Sequence, residues 1–432
     1  MSSCARHAPK SFASGDLPSA RASGDLPSAR RGVVVVVGAT LAMALGFGSL
    51  ALTSIFMRPL EAQFGWTRAE ISLAYAIASA GMALGGLGWG WASDRMKIRT
   101  LLAIGGSGMV LSVLAMSATQ SLWHLYLANA ILGGFGFAVL YAPLLTATGE
   151  WFEVRRGLAV GIVTAGGALG QGVVPFSANF LIDGIGWRAA YLTIAVVMFA
   201  LLAVSLPLVR RPERVHPPER RASTLTAHDP HGAARQRIAL LSLAAFLCCA
   251  CMGIPLVHLA SFVTIVCGSP SVGATSLLVA MLFGTAGRVC FGLLADRIGY
   301  LASYAGASLL QTMAVAAYPL LDDSASILTL SAVFGFGFAG NMTCLVLCIR
   351  QAVPEQRFGS ALGLVMLVAW LGMGVGGYAG GALFDSTGSY VAAFFLAGAI
   401  GVLNLIVIGI VMAARRATFR RVQIPVTSAA SA

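Results

Sequence analysis

GLLADRIG at residues 292–299 repeats the pattern of GWASDRMK at residues 90–97, and the separation of 202 positions organises the whole chain. Gly90, Asp94 and Arg95 return as Gly292, Asp296 and Arg297. The same shift carries Arg155, Gly157, Ala159 and Gly161 onto Arg357, Gly359, Ala361 and Gly363. It carries Gly170, Gly172, Asp183 and Gly186 onto Gly372, Gly374, Asp385 and Gly388. A register that holds without a gap across long apolar segments implies two equivalent halves in parallel repeat, meeting at a shared interface.

With 58% hydrophobic residues, 10% charged residues and 51 glycines among 432 positions, the chain is too apolar for a water-soluble domain of this length. Its solvent must largely be lipid. Twelve runs are long enough to cross a bilayer core of about 30 Å as helices: 32–57, 69–92, 100–119, 123–149, 157–182, 187–209, 238–262, 272–294, 300–320, 325–349, 358–384 and 389–413. They are too long and too uniformly apolar for the strands of a membrane barrel, and an open sheet would leave backbone groups unpaired in hydrocarbon. The expected fold is an all-α membrane protein of twelve transmembrane helices in two six-helix halves. Its parts are a tail at 1–31, a first half at 32–209, a hydrophilic linker at 210–237, a second half at 238–414 and a tail at 415–432. Residues 13–21 and 22–30 are a tandem copy of ASGDLPSAR, a Ser-, Gly- and Pro-containing composition that disfavours a packed core. The first apolar run is too long for a signal peptide and reads as a membrane helix.

The net charge of +12 is distributed by side. Twenty-four Lys and Arg fall in the tails, the linker and the even-to-odd loops, against only Arg58, Arg68 and Arg188 on the other face. That asymmetry is the signature of membrane orientation, with both termini cytoplasmic, rather than of nucleic-acid binding. Such a chain belongs in a cell inner (plasma) membrane, in contact with lipid. Of the cysteines, Cys248, Cys249 and Cys251 lack an acid or a second Cys pair at ligand spacing, so they read as packing residues and no metal or cofactor is expected.

GWASDRMKIR and GLLADRIG resemble the loop motif G-x-x-x-D-R-x-G-R-[RK] of the major facilitator superfamily, and with the repeat the resemblance covers about residues 32–414. Lys97 and Ile98 depart from the motif in the first copy and Tyr300 in the second. The resemblance implies a secondary transporter with its site between the halves. Asp94, Arg95, Asp296, Arg297, Arg155 and Arg357 are then candidates for a cytoplasmic gate, in which carboxylates pair with loop arginines or with helix N-termini. Exposed pairs of this kind are typically worth only about 0–1 kcal/mol, so orientation alone is the competing role. Helix five carries Gly157, Gly166 and Gly170, similar to the glycine-rich helix of antiporters, yet the Gly-Pro of that helix is absent: Gln171 follows Gly170, and a proline comes only at Pro175. Close helix packing accounts for those glycines equally well.

FGWTRAEIS (64–72), EWFEVRRGLAVGI (150–162), GIGWRAAY (184–191) and GRVCFGLLADRIG (287–299) are similar to the monocarboxylate transporter and oxalate:formate antiporter branch. The last phrase puts Arg288 eight residues before the loop Asp, about 12 Å inside the boundary. An arginine at that depth costs about 2.5–3.5 kcal/mol on insertion scales, and no neighbour on its helix is acidic. The resemblance makes Arg288 the contact for a substrate carboxylate, which a planar guanidinium suits. Gly284 replaces the Asp found four residues earlier in proton-coupled members, residues 38–57 contain no Lys, and Ala369 and Trp370 stand where the oxalate carriers have one. A lone cation matches a singly charged acid better than a dianion.

Polarity at similar depth nominates Tyr141, Gln171, Asn341 and Trp370 as further substrate contacts, with helix packing the alternative role for each. His258 is placed near the outer face, as an interfacial or vestibule residue or a proton-coupling group. The sequence thus points to alternating-access transport of a small organic monoanion by a monomer, with protons or a counter-transported anion as coupling partners. The alternative is a multidrug-type or other small-molecule efflux carrier of the same superfamily. A catalytic constellation is missing from the apolar segments, so an enzyme is not expected.

Overall fold

The computed structural model describes residues 26–93, 95–152, 156–211, 231–354 and 357–423. Twelve helices carry them: α1 Leu26–Phe64, α2 Arg68–Ser93, α3 Ile98–Ser117, α4 Leu122–Glu150, α5 Arg156–Ile185, α6 Trp187–Leu208, α7 His231–Cys267, α8 Pro270–Ile298, α9 Tyr300–Ala317, α10 Ser324–Ala352, α11 Phe358–Thr387 and α12 Val391–Gln423. The tandem peptide up to residue 25 and the linker core at 212–230 lie outside the described residues. Residues 26–31 and 231–237, assigned to tail and linker from the sequence, instead extend α1 and α7, and α12 runs on to Gln423. Arg, Ala and Gln are good helix formers, so a helix need not stop where its apolar run ends.

Among the described residues, eleven of these helices are individually long and apolar enough to cross a membrane. The exception is α9. Its Ser303, Ser308, Gln311 and Thr312 are buried, and hydrogen bonds tie two of them to other helices: Asn404 Nδ2 of α12 donates to Ser308 Oγ at 2.6 Å, Asn341 Nδ2 of α10 donates to Gln311 Oε1 at 2.8 Å, and Gln311 Nε2 donates to the Cys248 carbonyl of α7 at 3.4 Å.

The repeat is visible in the packing. In the first half α1 lies on α5, α2 on α4 and α3 on α6; in the second α7 lies on α11, α8 on α10 and α9 on α12. Gly186 and Gly388, 202 positions apart, both sit in tight connections at positive φ, 81° and 69°, where a side chain would be strained. One element breaks the symmetry. In α4 the stretch Leu132–Phe137 winds as a wider π turn, which frees the Gly134 carbonyl to accept from Trp89 Nε1 at 3.0 Å, whereas α10 is continuous α-helix. Gly133 lets this turn lie directly against α2, where a Cβ would collide with the Ala78 carbonyl.

The halves meet through α2–α11, α5–α8 and α1–α7. We call the face carrying Arg95, Lys97, Arg297 and Arg357 the basic face and its counterpart the opposite face. Toward the opposite face the α2–α11 seam is tight: a Cβ on Gly374 would lie 3.1 Å from Ala76, and one on Gly381 2.5 Å from Ser72 Oγ and 2.6 Å from the Arg68 carbonyl. Toward the basic face, Gly86 and Gly88 of α2 and Gly359 and Gly363 of α11 have nothing within 4 Å of a Cβ. The contact is therefore close at one end of the bundle and slack at the other.

Candidate functional site

Between the halves lies a cavity of about 60 Å³ with polar lining from Tyr75, Tyr141, Gln171, Arg288 and Trp370, and apolar lining from residues including Phe47, Leu50, Phe338, Met342, Met366 and Met373. Four of the five residues nominated as substrate contacts converge there from α4, α5, α8 and α11. Helix packing sets their directions. Gly284 and Gly287 turn α8 against Gly335 and Phe336 of α10, so Arg288 emerges to the side of that contact and reaches the cavity. The π turn precedes Tyr141 on α4 and fixes its angle around the helix.

Arg288 is half-buried, its Nε is sealed from solvent without a hydrogen-bond partner, and none of the described carboxylates pairs with it. Its electrostatic neighbour is Tyr141. Tyr141 in turn stacks on Phe137 at 5.5 Å and meets Trp370 edge-on at 6.2 Å, while Phe47 packs edge-on to Phe137 at 4.7 Å. The cavity thus offers one cation, two tyrosine hydroxyls, an amide and an indole N–H within an aromatic and Met-rich wall, and no acidic side chain. That inventory accepts a single negative charge and a small apolar body. The methionines let the wall adapt to shape.

Asn341 is not part of the cavity. It is fully buried on the face of α10 that meets α9, bonded to Gln311. His258 is also fully buried rather than in a vestibule: Nε2 lies 2.7 Å from the Gly377 carbonyl and Nδ1 3.1 Å from the Tyr390 hydroxyl. A carbonyl can only accept, so Nε2 carries the proton and Nδ1 accepts from Tyr390. Of the nominated gate residues, Asp94 and Arg155 lie outside the described residues. Arg95, Asp296, Arg297 and Arg357 are exposed on the basic face, and no ion pair joins the last three among the described residues.

The opposite face holds a cluster that the sequence reading missed. Asp385, at the end of α11, accepts the amides of Arg68 at 3.1 Å and Ala69 at 2.7 Å, capping the first turn of α2 across the interface. The same turn has a capping box, with Thr67 N donating to Glu70 Oε2 at 2.8 Å and Glu70 N to Thr67 Oγ1 at 3.2 Å. The Arg68 guanidinium pairs with Glu61 at 3.2 Å and lies over the Phe384 ring at 3.8 Å and the Tyr390 ring at 5.2 Å. Beside this cluster a cleft of about 520 Å³ opens between α1, α5, α7 and α8, reaching Arg58, Asn179, Asp183 and Pro270. The TRAE box was legible in sequence, and the pair Asp183/Asp385 stood in the repeat; the partner of Asp385, 317 positions away, did not.

Twelve helices in two repeated halves with a central site between them define a membrane carrier, and the sequence profile of the Major Facilitator Superfamily matches residues 38–366. The chain belongs to that superfamily and is a multi-pass membrane transporter. It is 28% identical over 374 residues to monocarboxylate transporter 13 of Rattus norvegicus, covering 85% of this chain and 86% of that one. It is 28% identical over 388 residues to monocarboxylate transporter 11 of Homo sapiens, covering 85% and 80%. An agnestins efflux protein of Paecilomyces divaricatus is 21% identical over 361 residues, with 83% and 82% covered. Among solved structures, an inward-facing, unoccupied bacterial homologue of the human lysosomal transporter Spinster superposes with a TM-score of 0.64 at 16% identity over 88% of this chain and 95% of that one, a likeness of fold.

Proposed function

We propose that this protein carries a small organic monoanion by alternating access, with the carboxylate on Arg288. The observation that carries the reading is a cation at the cavity wall whose Nε has no partner and which no described carboxylate neutralises. Tyr141, Gln171 and Trp370 orient the acid, and the aromatic and Met-rich wall holds its carbon chain. Substrate binding neutralises the buried charge, which lowers the barrier to rocking of one half against the other. Asn341 acts indirectly, by fixing α9 against α10.

The charge asymmetry supports a cytoplasmic basic face in a cell inner (plasma) membrane. The slack seam at that face is then an inward-open state, and Asp94, Arg95, Asp296, Arg297, Arg155 and Arg357 form the gate that closes it. Protons or a counter-anion couple the cycle, the protein works as a monomer, and His258 serves as a strut between α7, α11 and α12.

Uptake of labelled lactate and pyruvate into proteoliposomes tests the reading. Arg288→Ala and Arg288→Lys should abolish uptake that the parent protein shows; equal transport by these variants would sink the carboxylate contact. Efflux of a neutral lipophilic compound is the second reading, favoured by the efflux protein among the similar chains and by the aromatic and Met-rich lining. It requires transport that survives Arg288→Ala.

A further inference from the structure

The cleft on the opposite face is the unlatched twin of a closed seam. Asp385 caps α2 through the amides of Arg68 and Ala69. Moved back by 202 positions, Asp385 becomes Asp183, and the residue equivalent to Arg68 is Pro270, the first residue of α8. Proline has no N–H to give. One of the two bonds that latch α2 to α11 is therefore impossible between α5 and α8, and Asp183 is exposed on the cleft wall with no ion pair among the described residues.

Two donor side chains line the cleft together with Asp183. Asn179, one turn earlier on α5, is 5% exposed and its amide nitrogen has no partner. Arg58 on α1 is exposed and, unlike Arg68 with its Glu61, has no ion-pair partner among the described residues. The four charged groups of the cleft, Arg58, Arg68, Glu61 and Asp183, sum to zero. The cleft therefore does not concentrate anions by field strength. It offers hydrogen-bond donors and a carboxylate acceptor in one lining.

We propose that this cleft is a second substrate site, an outer vestibule for a small hydroxy-monocarboxylate, whose carboxylate bonds to Arg58 and Asn179 and whose hydroxyl donates to Asp183. The proposal rests on the monoanion reading above and adds the demand for a hydroxyl. A dianion would leave one charge unmatched. An acid without a donor would leave Asp183 desolvated and unpaired, which is the larger discrimination.

The test uses three labelled acids that differ in one group on the same three-carbon frame: lactate, propionate and alanine. Binding is measured on the purified full-length protein and on Arg288→Ala, which silences the central contact. The parent should take up two lactates per chain and Arg288→Ala one. In the Arg288→Ala background, Arg58→Gln, Asn179→Leu and Asp183→Asn should each weaken lactate about tenfold. Propionate should bind about tenfold more weakly than lactate, and Asp183→Asn should narrow that gap by removing the stranded charge. Arg58 is exposed, so its variant reports binding rather than folding. A parent that binds one lactate and an Arg288→Ala that binds none would overturn the vestibule while leaving the central site standing. Propionate binding as tightly as lactate would overturn the role of Asp183, and alanine binding more tightly than lactate would overturn the hydroxy-acid class. If the parent binds none of the three, both sites fall together.

Discussion

The Asp385 carboxylate at the end of α11 accepts the Arg68 amide of α2 at 3.1 Å, so one half of the protein caps a helix of the other. The bond joins a negative side chain to the positive end of a helix dipole, and its companion to Ala69 makes the cap bidentate. Because donors and acceptor belong to different halves, this cap also locks the interface at the opposite face.

Asp385→Ala should lower the melting temperature of the purified protein, since losing a helix cap costs about 0.5–2 kcal/mol. It should also raise the labelling rate of a cysteine placed at Ser72, which lies inside the seam. Unchanged labelling would show that the cap stabilises α2 without holding the halves together.

The two ends of the α2–α11 seam predict opposite responses to the same change. Gly381→Ala brings a methyl within 2.5 Å of Ser72 Oγ and 2.6 Å of the Arg68 carbonyl, so it should destabilise the closed opposite face and slow transport. Gly363→Ala meets nothing within 4 Å and exchanges a poor helix former for a good one, so melting should stay level or rise. Thermal melts and uptake rates on the two variants decide it.

His258→Leu should destabilise the protein by about 1–3 kcal/mol for each buried partner it strands, the Tyr390 hydroxyl and the Gly377 carbonyl. As a strut, His258 predicts that the pH profile of uptake in His258→Gln keeps the parent's shape. A flattened profile would make it the coupling group instead.

Asp323, the N-cap of α10, is held below the ordinary carboxylate range by hydrogen bonds from Ser326, whose amide donates at 2.8 Å. A depressed pKa in the folded state means stability that is present above the unfolded value and is lost as pH falls through the folded one. Melting temperature measured down through the acid range should therefore fall less steeply in Asp323→Asn than in the parent.

The helices and their pairing were readable because apolar runs of bilayer length and a gapless repeat leave few alternatives. The site was only partly readable. Depth along a helix follows from residue counting, which is why Arg288, Tyr141, Gln171 and Trp370 arrive at one level. Angle around the axis does not. On α10 the cavity stripe is Phe338, Met342 and Val346, and Asn341 stands about 100° from Met342, facing Gln311. His258 shows the same limit, since counting placed it near the right height but could not tell that it points at Gly377. The Asp385 cap depended on a contact between distant segments, for which a single sequence holds no local signal.

The polar interior of α9 bears on how this protein is made. Ser308 and Gln311 find their partners Asn404 and Asn341 on α12 and α10, both synthesised later than α9. Leaving the ribosome, α9 could give the Gln311 amide N–H to the Cys248 carbonyl of α7 but would hold Ser308 Oγ and Gln311 Oε1 without those donors, an arrangement hydrocarbon does not favour. Its biogenesis must therefore be cooperative: α9 waits at the insertion machinery, or at the flank of α7, until the last helices arrive to complete it.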